Sequence, residues 1–262
     1  MTYGFTRYVD VAQISLYIFW GFFAGLVFYL RREDKREGYP LMPEGRQRFV
    51  RGPIEGFPPI PSPKTFHKPD GGTSQAPQTE PPVGPIAAVP AGLFPGAPLI
   101  PTGNPLVDGV GPASWVNRSD EPDKTFKGDN RMVPLRLVPE YHVSSHSSDP
   151  RDWTVIGADG VAAGIVRDLW IDESEKNVRY IEIELDPAVA VDRHHVLIPE
   201  NFVRYRRRHQ RVSVRAILAA QFADVPLLKD PDEITFREED RLVAYFGGGS
   251  LYATPARLGP LL

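Results

Sequence analysis

Hydrophobic positions along the chain follow three patterns in turn. From Val11 to Leu30, twenty residues carry no charge, and only Gln13 and Ser15 are clearly polar. Eleven of the twenty are Val, Ile, Leu or Phe, which on the biological insertion scale contribute about −3 to −7 kcal/mol toward membrane insertion. As a helix at about 1.5 Å per residue the run is about 30 Å long, the thickness of a bilayer's hydrocarbon core. The pattern predicts a transmembrane helix over 11–31. Tyr17 and Tyr29 suit the interfaces, whereas Trp20 sits centrally and is expected to pack on a neighbouring helix. A secretory signal peptide would be shorter and would end in small residues, not Phe-Tyr-Leu-Arg-Arg.

In the second pattern, proline sets the rhythm. Eighteen of the 28 prolines fall between Pro40 and Pro112. Proline fixes φ and removes an amide donor, so regular helix or sheet is not expected here. Stretches such as GGTSQAPQTEPPVGP read as disordered linker. The recurrence of Phe57, Ile60, Phe66, Leu93, Phe94, Leu99 and Ile100 favours an extended segment, 32–112, laid over a partner surface.

From Trp153 the third pattern is short alternating runs between turns. GVAAGIVRDLWID, VRYIEIELD, HHVLIP and RVSVRAIL read as strands of a small antiparallel barrel or sandwich, about 150–230, within a globular domain 113–262. In VRYIEIELD, Ile181, Ile183 and Leu185 alternate with Tyr180, Glu182 and Glu184. Thr235-Phe-Arg-Glu238 matches a capping box, and an apolar stripe after it predicts a helix over about 236–246 that Gly247-Gly248-Gly249 would stop. The fold class is thus a single N-terminal transmembrane helix, a mainly-β cytoplasmic domain with a small barrel, and a C-terminal helix.

Charge orients the anchor. Arg31, Arg32, Lys35 and Arg36 follow the span and only Arg7 precedes it, so residues 1–10 are expected outside as a periplasmic tail and the rest in the cytoplasm. The same four cations are candidate lipid-headgroup contacts. A net charge of −3 offers no general field for nucleic acid. The one dense basic run, YRRRHQR from Tyr205 to Arg211, reads as a solvated turn or a surface toward an acidic partner or headgroups. The chain has no cysteine, which excludes thiolate metal sites and cysteine nucleophiles. No nucleophile elbow, phosphate loop or dinucleotide fingerprint occurs, and His194 and His195, adjacent in a strand, point apart without further ligands at metal spacing. No enzymatic activity is expected. The cluster Asp172, Glu173, Glu175, Glu182, Glu184 and Asp186 reads either as a solubilising edge or as crowded carboxylates with raised pKa values.

REDKREGYPL after the span, NPLVDGVGPASW at 104–115, VRDLWIDESEKNVRYIEIEL, QFADVP at 221–226 and ITFREEDRLVAYFGGGSLYATP resemble the H subunit of the purple-bacterial photosynthetic reaction centre, a PRC-barrel family. They span nearly the whole chain in order, with residues 46–100 matching least well. The resemblance implies a non-pigmented, non-catalytic subunit of the bacterial inner, intracytoplasmic membrane. Such a subunit caps the L and M subunits, shields the quinone sites and carries part of the proton path to the secondary quinone. It implies a complex with bacteriochlorophyll, bacteriopheophytin, quinones, non-haem iron and carotenoid, none held by this chain alone. Light-harvesting antenna polypeptides and membrane lipids are implied neighbours, and an attached cytochrome subunit stays open. By the same resemblance Asp172, Glu175, Arg179, Arg131 and Asp129 fall at or near the proton path. One departure stands out: a His-x-His pair of well-studied members, which binds inhibitory metal ions, is replaced by Lys127 and Asp129. Proton uptake is therefore expected to be shifted or weaker, with less inhibition by zinc or cadmium. The alternative is a tethered PRC-barrel adaptor of another complex, which does not predict REDKREGYPL or GGGSLYATP.

Overall fold

A computed structural model describes residues 10–37, 56–69, 71–77, 85–94, 96–191 and 195–258. Residues 1–9 of the expected outer tail, the last four residues of REDKREGYPL, and His194 lie outside the described residues. The chain divides into two compact units, Met1–Gly84 with Leu93–Ala97, and Pro85–Gly92 with Pro98–Leu262.

In the first unit, helix α1 spans Val11–Asp34, about 36 Å at 1.5 Å per residue. Asp10 caps it, its Oδ1 accepting from the Gln13 amide at 2.8 Å. No residue of α1 is buried in the chain, and its length and composition suffice to cross a membrane. The charged run that ends it is drawn back into the protein. Lys35 is 2% exposed and donates to the Pro58 carbonyl at 2.5 Å. Arg36 donates to Glu33 at 2.6 Å and to the carbonyls of Ser62 and Ala76 at 2.6 and 3.2 Å.

The proline-rich stretch does contain sheet, contrary to the expectation from its composition. Strands β1 (Lys64–His67) and β2 (Thr73–Ala76) form one antiparallel hairpin, and in the second unit β3 (Ala88–Pro90) and β4 (Leu99–Pro101) form another. Each is only two strands wide, so every strand has an open edge, and Pro90 and Pro101 stand at strand ends, where the missing donor costs least.

The second unit is built on a seven-stranded sheet. Before it comes the short helix α2 (Pro105–Asp108), whose Leu106 enters the core although the prolines around it read as extended segment. The strands are β5 (Met132–Pro134), β6 (Thr154–Ile156), β7 (Ala162–Asp172), β8 (Asn177–Leu185), β9 (His195–Pro199), β10 (Val203–Arg206) and β11 (Arg211–Val214). The hydrogen-bonded order is β10-β11-β6-β7-β8-β9, with β5 on β7. All pairs are antiparallel except β11 with β6, which is parallel. Among the described residues the sheet does not close on itself.

Helix α3 (Phe236–Tyr252) covers the sheet with Leu242, Tyr245 and Phe246. The capping box is present: Glu238 N donates to Thr235 Oγ1 at 3.3 Å and Thr235 N to Glu238 Oε2 at 2.9 Å. The helix continues through Gly247, Gly248 and Gly249 instead of stopping there. These glycines serve close packing: a Cβ on Gly248 would lie 2.4 Å from the Ala113 Cβ, and one on Gly249 2.4 Å from Ile217 Cγ2.

Candidate functional site

Three arrangements of carboxylates lie in this region, the first two holding members of the acidic cluster, whose Glu184 pairs separately with Arg167 at 2.5 Å. The first lies where β7 turns into β8. Pairing of Met132 with Asp172 brings the start of β5 to the end of β7, so Arg131 lands on the Asp172 carboxylate. Its Nε lies 3.0 and 2.9 Å from the two carboxylate oxygens, and its Nη2 2.7 Å from Oδ2. The same guanidinium reaches Asp123 at 3.1 Å and Glu175 at 3.2 Å. Asp172 Oδ1 also accepts from the amides of Ser174 at 2.8 Å and Glu175 at 3.0 Å, which shapes the turn. Burial of Asp172 works to raise its pKa, but Arg131 and the two amides outweigh it and hold the carboxyl below the usual range. The Arg131 guanidinium is in turn held more firmly protonated, chiefly by Asp172. Crowding therefore does not raise the pKa of Asp172, because a cation sits among the carboxylates.

The structure thus brings together Arg131, Asp172 and Glu175 and adds Asp123. Asp129 stands exposed in the turn before Arg131, its carbonyl accepting from the Thr125 amide at 2.8 Å; Lys127 is exposed beside it. Arg179 is exposed on β8. It is not part of the Arg131 cluster, and acts as a positive charge near Tyr180 and Glu239. Of the four candidate headgroup cations, Arg31 and Arg32 are exposed, whereas Lys35 is buried and Arg36 largely so.

The second arrangement was not legible from the sequence. Glu182, 8% exposed at its side chain, accepts from Arg136 Nη1 at 2.6 Å and Trp170 Nε1 at 2.9 Å, and lies 2.5 Å from His195 Nδ1. Arg136 also binds Asp168 at 3.0 Å and Asp232 at 2.7 Å. Burial pushes the Glu182 carboxyl up, but His195, Trp170 and Arg136 together carry it below its ordinary value. The alternation of β8 places Glu182 opposite Ile181, as expected, yet Tyr180 and Glu182 on the polar face are buried, and only Glu184 beyond them stays partly exposed.

The third is a pair. Tyr180 donates to Glu239 Oε2 of α3 at 2.7 Å. Burial raises both groups, and the Asp123 carboxylate adds to the rise at Glu239. Glu239 is thus pushed toward holding a proton.

Together these features define a class: a β-sheet domain joined in sequence to a membrane-length helix, with carboxylates paired to arginines. Among the described residues no group of three or more His, Cys, Asp or Glu side chains is placed to hold a metal ion. Residues 3–137 match the N-terminal region of the photosynthetic reaction centre H chain, and residues 142–217 match the PRC-barrel domain. The chain belongs to the reaction-centre H-chain family. Membership of that family implies a complex with pigments and quinones and association with the L and M subunits.

Proposed function

We propose that this chain, anchored by α1 with its tail outside and its β domain in the cytoplasm, caps the L and M subunits, shields the quinone sites and conducts protons to the secondary quinone. The proline-rich segment runs over the surface of those partners, and Arg31 and Arg32 meet lipid headgroups. What supports the proton role is the cluster of Asp172, Glu175 and Asp123 around Arg131. Reducing a quinone to quinol inside protein needs two protons from solvent, passed between groups within hydrogen-bond reach or through water. In this reading Glu175, 54% exposed at its side chain, takes the proton from solvent. Asp172, kept ionised, supplies the negative charge that draws it inward, and Arg131 holds both carboxylates in place. Asp129 and Arg179 set the potential at the approaches.

The test is flash-induced proton uptake by the assembled complex. Glu175→Gln is expected to slow the proton-coupled second electron transfer about tenfold or more. An unchanged rate in a fully assembled complex would overturn the proton role and leave the cap.

A further inference from the structure

Between the 141–150 segment and strands β7, β8 and β10 lies a cavity of about 680 Å³. Its floor is apolar, made of Leu135, Leu169, Ile171 and Val178, the first three belonging to the buried core. Its charged lining is mainly cationic, Lys176, Arg179 and Arg207 against one carboxylate, Glu200, with Glu140 and Glu173 acting on Lys176 from outside the lining. Lys176 donates to the Tyr141 hydroxyl and lies over that ring. The side chains of Arg179 and Arg207 make no hydrogen bond or ion pair among the described residues, although Arg179 acts on Glu239 at longer range, whereas Arg131, Arg136, Arg151 and Arg167 each meet a carboxylate directly. Arg207 also belongs to the basic turn, where Arg206, Arg208 and Arg211 are exposed and equally without carboxylates among the described residues.

We propose that this groove seats an extended acidic segment of a partner polypeptide, with apolar side chains on the floor and carboxylates against Arg179 and Arg207. The charge of the rim selects an acidic occupant. The wall selects a polypeptide: Ser144, Ser147 and Ser148 line it, and although the Ser144 hydroxyl already accepts from the His146 amide at 3.3 Å, those of Ser147 and Ser148 match main-chain amides, whereas an acyl chain would leave them desolvated and unmatched. The proposal rests on this chain being one subunit of a larger complex and names the place where a partner enters it.

A photo-crosslinking amino acid at Ser147, in the full complex in its native membrane, tests this by mass spectrometry of the adduct. The expected product joins Ser147 to an acidic stretch of another polypeptide. Arg207→Glu should lower its yield about threefold or more, and Arg207→Lys should restore it. An adduct with lipid, with a neutral or basic stretch, with this chain alone, or no adduct would each overturn the proposal if pigments still copurify. A preparation without pigments would instead count against the complex itself. His142, also on the groove wall, gives an independent position should Ser147 disturb assembly.

Discussion

At the residue scale, Asp172 and Glu239 sit in opposite electrostatic settings, and this predicts opposite pH behaviour. The folded pKa of Asp172 lies below its unfolded value of about 3.9. Its stabilisation is therefore present above that value and is lost as pH falls through the folded pKa. Asp172→Asn should cost about 1–3 kcal/mol at neutral pH, with the deficit shrinking below about pH 4, as read from denaturant midpoints of the chain in mild detergent. Glu239 is raised, mainly by burial. Its contribution is present below the unfolded value and is lost as pH rises through the folded one. Glu239→Gln keeps an acceptor for Tyr180 and removes the buried charge, so it should stabilise by roughly 0.5–1 kcal/mol at neutral pH and by nothing in acid; a loss at neutral pH would contradict this. Resemblance to the family pointed to Arg131, Asp172 and Glu175. Neither the alternation nor the resemblance pointed to Glu182, Arg136 and Asp168 as partners, because Arg136 and Glu182 are 46 positions apart. Alternation assigns two faces to a strand but not what covers each.

At the scale of elements, the glycines of α3 carry the clearest lesson. The capping box at Thr235 was legible because every participant lies within one turn. The end of the helix was not, since three consecutive glycines read locally as a stop, and the reason they stay helical lies in Ala113 and Ile217, remote in sequence. The three positions should respond differently to alanine. At Gly247 the nearest atom to a new Cβ is the Pro112 carbonyl at 3.6 Å, so Gly247→Ala should stabilise by about 0.5–1 kcal/mol through helix propensity. Gly248→Ala and Gly249→Ala meet contacts of 2.4 Å and should each destabilise by about 1–3 kcal/mol through overpacking. Thermal melts of the three variants check this order. The hairpins of the proline-rich region escaped the sequence for a related reason: composition reports how much proline is present, while the structure depends on where in each strand it falls.

At the scale of the whole molecule, the anchor was legible because it is an unbroken apolar run of twenty residues, and the mainly-β domain because alternation recurs in several short stretches. The groove beside the 141–150 segment was not, because its lining comes from stretches remote in sequence. The turn that carries Lys127 and Asp129 is exposed, and a lysine ammonium has no lone pair to bind a metal or accept a proton. Zinc or cadmium should therefore inhibit proton uptake weakly, and Lys127→His with Asp129→His should make inhibition strong at the same ion concentration. Equal sensitivity before and after the exchange would place the metal elsewhere. The central claim, that this chain works as the cap of a light-driven complex, is tested most directly by purifying it from its native membrane in mild detergent and recording the near-infrared absorption. The account predicts bacteriochlorophyll and bacteriopheophytin bands that bleach on illumination. An intact but colourless preparation would contradict it.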